Sequence, residues 1–112
     1  MLLAIDVGNT QTVLGLLRFD PHDEDAVGVA EHWRVSTDTE RTSDEWAVLL
    51  HGLLSRRGRG LDEITGVAMC STVPAVLLAM REMALGQFTD HPTVVVEPGV
   101  RTGIPVLVEN PR

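Results

Sequence analysis

From Leu2 to Ile5 every side chain is apolar, and the run stops at Asp6-Val7-Gly8-Asn9-Thr10. A short apolar run closed by a glycine-containing turn predicts a buried strand. Thr12 to Leu17 resumes the apolar pattern so soon that the two strands are expected to pair as an antiparallel hairpin. Asp20 to Asp25 is acidic and contains Pro21, so it reads as a solvated loop. His22 among those carboxylates is read as part of a solvated charge run rather than as a metal ligand. Ala30 to Val35 alternates and predicts a third strand, with Trp33 and Val35 on one face.

The period then changes. Trp46, Leu49, Leu50, Leu53 and Leu54 fall at the spacing of an amphipathic helix. Thr42 followed by Glu45 has the form of a capping box at its start, and Arg56-Arg57-Gly58 marks its end. The cluster Arg56-Arg57-Gly58-Arg59 is explained by helix capping and solubility. Gly66 to Val73 is a continuous apolar stretch with two small hydroxyl residues near its end, the pattern of a central strand buried on both faces. Pro74 sits where proline begins a helix. Val76, Leu77, Met80, Met83 and Ala84 form its stripe, Gly86 ends it, and the methionines read as core filler. Thr93 to Glu97 is a further strand, Pro98-Gly99 turns the chain, and Ile104 to Val108 suggests a short last one.

The order β-β-β-α-β-α-β differs from a dinucleotide-binding domain, which would start βαβ. The fold class expected is α/β, a mixed sheet flanked by helices. A chain of 112 residues suits one domain with a real core. Its formal net charge of -7 disfavours nucleic acid and anionic lipid as partners. No apolar run approaches the length of a membrane span and no signal peptide is apparent, so a cytoplasmic location is expected. The single cysteine, Cys70, lies in an apolar run and is expected to be a buried core thiol.

Asp6-Val7-Gly8-Asn9-Thr10 carries the sharpest chemical signal. Gly8 would let backbone amides approach a phosphate. Asn9 and Thr10 add neutral donors. Asp6, fixed at a strand end beside such a cradle, is placed to hold a hydrated magnesium ion. A plain Asx-turn, with Asp6 and Asn9 bonding only local backbone, accounts for the same five residues equally well. Ser71 reads as a strand-end hydroxyl bonding its own turn, since no histidine is placed to activate it.

Position and context favour the phosphate reading. The motif lies at the junction of the first two strands, as in the first phosphate loop of actin-like ATPases, whose repeating unit has the same element order. The wording Asp6-Val7-Gly8-Asn9-Thr10 resembles the type III pantothenate kinase family in particular. Trp33-Arg34-Val35-Ser36-Thr37 and Arg41-Thr42-x-Asp44-Glu45 resemble the family's approach to its first helix. Ser71-Thr72-Val73-Pro74 resembles its Ser-Ser-Val-Val-Pro. Gly99-Val100-Arg101-Thr102-Gly103-Ile104-Pro105 and Glu109-Asn110-Pro111 resemble the lead-in to its substrate motif.

The resemblance implies a ribonuclease H-like (actin-like ATPase) half, with residues 1–112 as an N-terminal domain and a C-terminal domain beyond it. It implies phosphorylation of pantothenate with ATP, the first step toward coenzyme A. Asp6, Val7, Gly8, Asn9, Thr10, Gln11, Thr12 and Val13 match the ATP phosphate-binding loop. Asp6 would orient Mg2+, while Gly8, Asn9, Thr10 and Thr12 would line the phosphates. No catalytic residue falls within this sequence: the family's general base is the aspartate of a Gly-Ala-Asp-Arg motif expected beyond Arg112. The monovalent cation site (K+ or NH4+) is expected in the same absent half, and the complete protein is expected to be a homodimer that binds ATP and pantothenate. Val108 stands where many members have an aromatic residue. Arg34 and Arg41 are either near the nucleotide phosphates or, with Asp44 and Glu45, supports of the helix start; neither receives a role. A non-catalytic kinase-like regulator and a sugar kinase of the same superfamily are the alternative functions.

Overall fold

The computed structural model describes the backbone of residues 1–20, 23–97 and 106–109, with side chains described over 1–19 and 28–96. The expected acidic-loop residues Pro21 and His22, the Pro98-Gly99 turn, the rest of the 99–105 segment with the expected strand start at Ile104, and the Asn110-Pro111 pair lie outside the described residues. Six strands and two helices follow one another as β1 (Leu2–Val7), β2 (Gln11–Asp20), β3 (Asp23–Ser36), α1 (Ser43–Ser55), β4 (Gly66–Ser71), α2 (Pro74–Gln87), β5 (Thr93–Glu97) and β6 (Val106–Glu109). The strands form one mixed sheet in the order β3-β2-β1-β4-β5-β6. β1 pairs with β2, β2 with β3 and β5 with β6 in antiparallel fashion, while β4 runs parallel to β1 and β5 parallel to β4.

One expectation on length is corrected. β2 and β3 are longer than the apolar periodicity indicates, and Asp20, Asp23, Glu24 and Asp25 belong to strands rather than to an open loop. A two-stranded ladder at the sheet edge completes its backbone hydrogen bonds whatever its side chains are, so charged residues can extend it. The described part of the last expected strand is β6, Val106–Glu109.

Alternation along the strands divides the sheet into two unlike faces. Leu3, Ile5 and Val7 of β1, Leu14 and Leu16 of β2, and Val67 and Met69 of β4 share one buried cluster with Trp46, Leu50 and Leu54 of α1 and Val76, Met80, Met83 and Ala84 of α2. Both helices therefore cover the same face. Burial of each such large aliphatic side chain contributes about 1.5–3 kcal/mol relative to exposure. Trp33 and Val35 pack against this cluster from β3, on one face as the alternation predicts.

The helix ends are built as the sequence suggests. Thr42 Oγ1 accepts from the Glu45 amide at 3.2 Å, and Glu45 Oε1 accepts from the Thr42 amide at 2.9 Å. At the other end Gly58 adopts φ 70°. Its N–H donates to Ser55 O at 3.0 Å and the Arg59 N–H donates to Leu54 O at 2.9 Å, a paired closure that satisfies the last carbonyls of α1. The arginines beyond it are ion-paired: Arg59 lies 3.3 Å from Glu31 and 2.9 Å from Glu63, and Arg57 lies 3.7 Å from Glu31. α2 starts at Pro74 and continues through Gly86 to Gln87.

Candidate active-site edge at the β1–β2 turn

Three segments meet at one edge of the sheet because of the pairing pattern. β1 and β4 are parallel, so Val7 and Ser71 end side by side. β2 leaves the turn where β3 finishes, with Gln11 opposite Ser36. Gly8, Asn9 and Thr10 form the tip between β1 and β2. The turn after β4 is tied to its root: Thr72 donates to Val7 O from its amide at 3.2 Å and from its hydroxyl at 3.5 Å. Ser71 Oγ bonds both the carbonyl and the amide of Val73 at 2.9 Å, the local turn role expected of it. α2 starts directly after, at Pro74.

Asp6 is the last residue of β1 on the face away from the helices, and it is exposed. Its neighbours in the same row are Val13 of β2 and Cys70 of β4, and Arg34 of β3 lies opposite Val13. Among the described residues no group of three or more His, Cys, Asp or Glu side chains could hold a metal by themselves. One exposed carboxylate beside a turn of backbone donors fits magnesium that keeps most of its waters, and does not fit an all-protein cage.

The eight residues read as a phosphate loop divide into two sets. Asn9, Thr10 and Gln11 are exposed at the tip, and Asp6 and Val13 are exposed on the open face. Val7 and Thr12 point inward, with 1% and 0% of their surface accessible. The Thr12 hydroxyl lies 2.9 Å from Thr37 Oγ1, under the turn. Gly8 sits in a turn with little room for a Cβ, as read from the sequence. Gly58 is the only described glycine with positive φ. At Gly8 the constraint is proximity, since a Cβ there would stand 3.1 Å from Gln11 O. The Gly8 N–H donates to that same oxygen at 2.9 Å.

Sequence reasoning missed Thr37. It follows the end of β3, donates its amide to Thr10 O at 2.9 Å and donates its hydroxyl to Gly8 O at 2.8 Å. Its signals were its place in the Trp33-Arg34-Val35-Ser36-Thr37 segment and a hydroxyl just past a strand that pairs with the hairpin. Arg41 is placed on the helix side, its guanidinium 4.6 Å from the centroid of the buried Trp46 ring and 3.4 Å from Ser36 O. Cys70 is corrected from a core thiol to a half-buried one on the open face. Burial pushes its pKa up, and the nearby Asp6 carboxylate raises it further.

That open face forms a shallow groove of about 470 Å³ lined by Ala4, Val13, Gly15, Leu17, Ala68 and Val96, among others. It adjoins Asp6, which borders the same groove.

A Thermus thermophilus RuvC structure superposes with a TM-score of 0.59 at 20% identity, covering 87% of this chain and 61% of that one. A second RuvC structure from the same organism, in complex with a Holliday junction substrate, gives 0.56 at 18% identity and covers 87% and 65% of the two chains. The shared feature is the ribonuclease H-like sheet and its helices. Sequence similarity is much closer elsewhere. The type III pantothenate kinase of Acidothermus cellulolyticus is 54% identical over 112 residues, all of this chain and 41% of the relative. The Streptomyces avermitilis and Thermobifida fusca proteins of the same description are 53% and 48% identical, again over all of this chain and 41% of each relative. The chain therefore spans about two-fifths of the length of the curated relatives it matches. The family model described as type III pantothenate kinase matches residues 2–112, so the chain belongs to the type III pantothenate kinase family.

Proposed function

We propose that this chain supplies the ATP phosphate-binding edge of an enzyme that phosphorylates pantothenate, the first step of coenzyme A synthesis. The observation that carries this reading is family membership across residues 2–112, with the turn motif set at the end of β1. Asp6 would hold hydrated magnesium, and the exposed tip residues Asn9, Thr10 and Gln11 would present donors to the phosphates. Gly8 keeps the tip narrow. Val7, Thr12 and Val13 belong to the loop as its foundation. Magnesium, when bound, neutralises charge on the transferred phosphoryl group. The general base and the monovalent cation site fall to the remaining length of the complete protein, which acts as a cytoplasmic homodimer. Among the described residues no helix is long and apolar enough to cross a membrane.

The test is ADP release by the complete protein with pantothenate as acceptor. Asp6→Asn is expected to lower kcat by roughly a hundredfold or more, the scale of a lost transition-state electrostatic contact, with an unchanged melting temperature. Near-normal turnover in the folded variant would remove Asp6 from the site. Absence of pantothenate phosphorylation by the unmodified complete protein would overturn the functional reading itself.

A further inference from the structure

We infer that Thr37 is a positioning residue that aims the Asn9 backbone N–H of the turn outward at the nucleotide phosphates, an inference that rests on the phosphate-loop reading above. A hydroxyl has one hydrogen to give. Gly8 O is a carbonyl and can only accept, so the Thr37 hydrogen goes there, at 2.8 Å. The 2.9 Å contact between Thr12 Oγ1 and Thr37 Oγ1 is then donated by Thr12. Thr12 is fully buried, so this chain of hydroxyls has a fixed direction, from Thr12 to Thr37 to Gly8 O.

The consequence follows from peptide geometry. In a planar trans peptide the C=O and the next N–H point in opposite directions. No cis peptide occurs among the described residues. Anchoring Gly8 O toward Thr37 therefore turns the Asn9 N–H away from Thr37. Two further bonds hold the same frame: the Thr37 N–H to Thr10 O, and the Gly8 N–H to Gln11 O, both 2.9 Å. Among the described residues the Asn9 and Thr10 amides donate to no backbone acceptor. The turn thus spends two carbonyls, Gly8 O and Thr10 O, on Thr37 and keeps the Asn9 N–H facing away from it, the polarity an anion requires. Without the hydroxyl, the Gly8–Asn9 peptide is free to rotate and to present its carbonyl to the phosphates instead.

Thr37→Val, Thr37→Ser and the double variant Thr12→Val/Thr37→Val, made in the complete protein, test this together with Gly8→Val. Thr37→Val keeps the shape and the backbone bond but loses the hydroxyl. It is expected to raise KM for ATP by roughly five- to tenfold, the scale of one lost hydrogen bond and its geometry, with KM for pantothenate unchanged. Thr37→Ser should restore the ATP value. Thr37→Val also strands the buried Thr12 hydroxyl and should lower the melting temperature. The double variant removes that orphan, so its melting temperature should recover while KM for ATP stays high. A KM for ATP that recovers along with the melting temperature would assign Thr37 a purely structural role and overturn the inference. An unchanged KM in Thr37→Val beside a raised one in Gly8→Val overturns the inference but leaves the phosphate loop standing. Unchanged values in both variants overturn the inference and the phosphate-loop reading with it.

Discussion

Asp6 and Cys70 occupy neighbouring positions in parallel strands, so the thiol reports on the carboxylate independently of any catalytic assay. Burial is the larger cause of the raised thiol pKa and the Asp6 charge the smaller. Asp6→Asn should therefore increase the thiolate fraction and speed alkylation of Cys70 by iodoacetamide at mildly alkaline pH. An alkylation rate indifferent to the substitution would show that the carboxylate does not reach across the row. Gly8 and Asn9 differ in the same local way. A valine at 8 brings its Cβ against Gln11 O and must open the tip, whereas Asn9→Ala removes a side chain that makes no hydrogen bond within the described residues. Gly8→Val is expected to raise KM for ATP more than Asn9→Ala, whose loss is limited to about 1 kcal/mol, or roughly fivefold. The reverse order would move recognition from backbone to side chain. The turn at Gly8-Asn9-Thr10 was legible because turn-forming residues close an apolar run there. The inward turn of Thr12 was not, because its pleat position depends on which face the helices cover, and that is a tertiary choice.

At the scale of elements, the ends of α1 were readable from local chemistry alone: the Thr42–Glu45 box and the Gly58 closure both form. The ion cluster beyond α1 was not, since Glu31 comes from β3 and its meeting with Arg57 and Arg59 needs the folded sheet. This cluster makes a pH prediction. The Gly60 N–H first, and Arg59 second, hold the Glu63 carboxyl below its ordinary value of 4.5. A carboxyl with a depressed folded pKa favours the folded state above its unfolded pKa, and that contribution fades as pH falls through the folded value. Glu63→Gln should therefore lower the melting temperature at neutral pH, and the gap from the unmodified protein should close as the pH drops from about 5 to below the depressed value. A gap that persists in acid would mean that Glu63 acts through packing. The same contrast between local and tertiary information explains the strands. β1, β4 and β5 lie inside the sheet and announce themselves as apolar runs, whereas Asp20, Asp23, Glu24 and Asp25 of β2 and β3 are acidic and carry the pattern of a loop.

For the whole molecule, the unequal faces of the sheet are the dominant fact. One face carries α1 and α2 over a closed core; the other is the groove beside Asp6, apolar and open. Residues on a central strand that read as buried on both faces, Ala68 and Cys70 among them, are only half covered here. Val29 and Val13, on the same side, are 62% and 38% exposed. A contiguous apolar surface of this kind favours association. The 112 residues produced alone should self-associate in sedimentation velocity at concentrations of hundreds of micromolar and should enhance the fluorescence of an apolar-surface dye. Val13→Lys combined with Val29→Lys places two like charges on that side, where mutual repulsion between copies and the cost of burying a lysine both oppose contact. The pair should shift the sedimenting species toward monomer and reduce dye binding, with little change in melting temperature because neither residue belongs to the helix-side core. A monodisperse monomer before any substitution would show that the open face does not drive association. Association that survives both lysines would place the contact elsewhere, with the exposed Val48 of α1 and Leu78 of α2 as the next surface to alter.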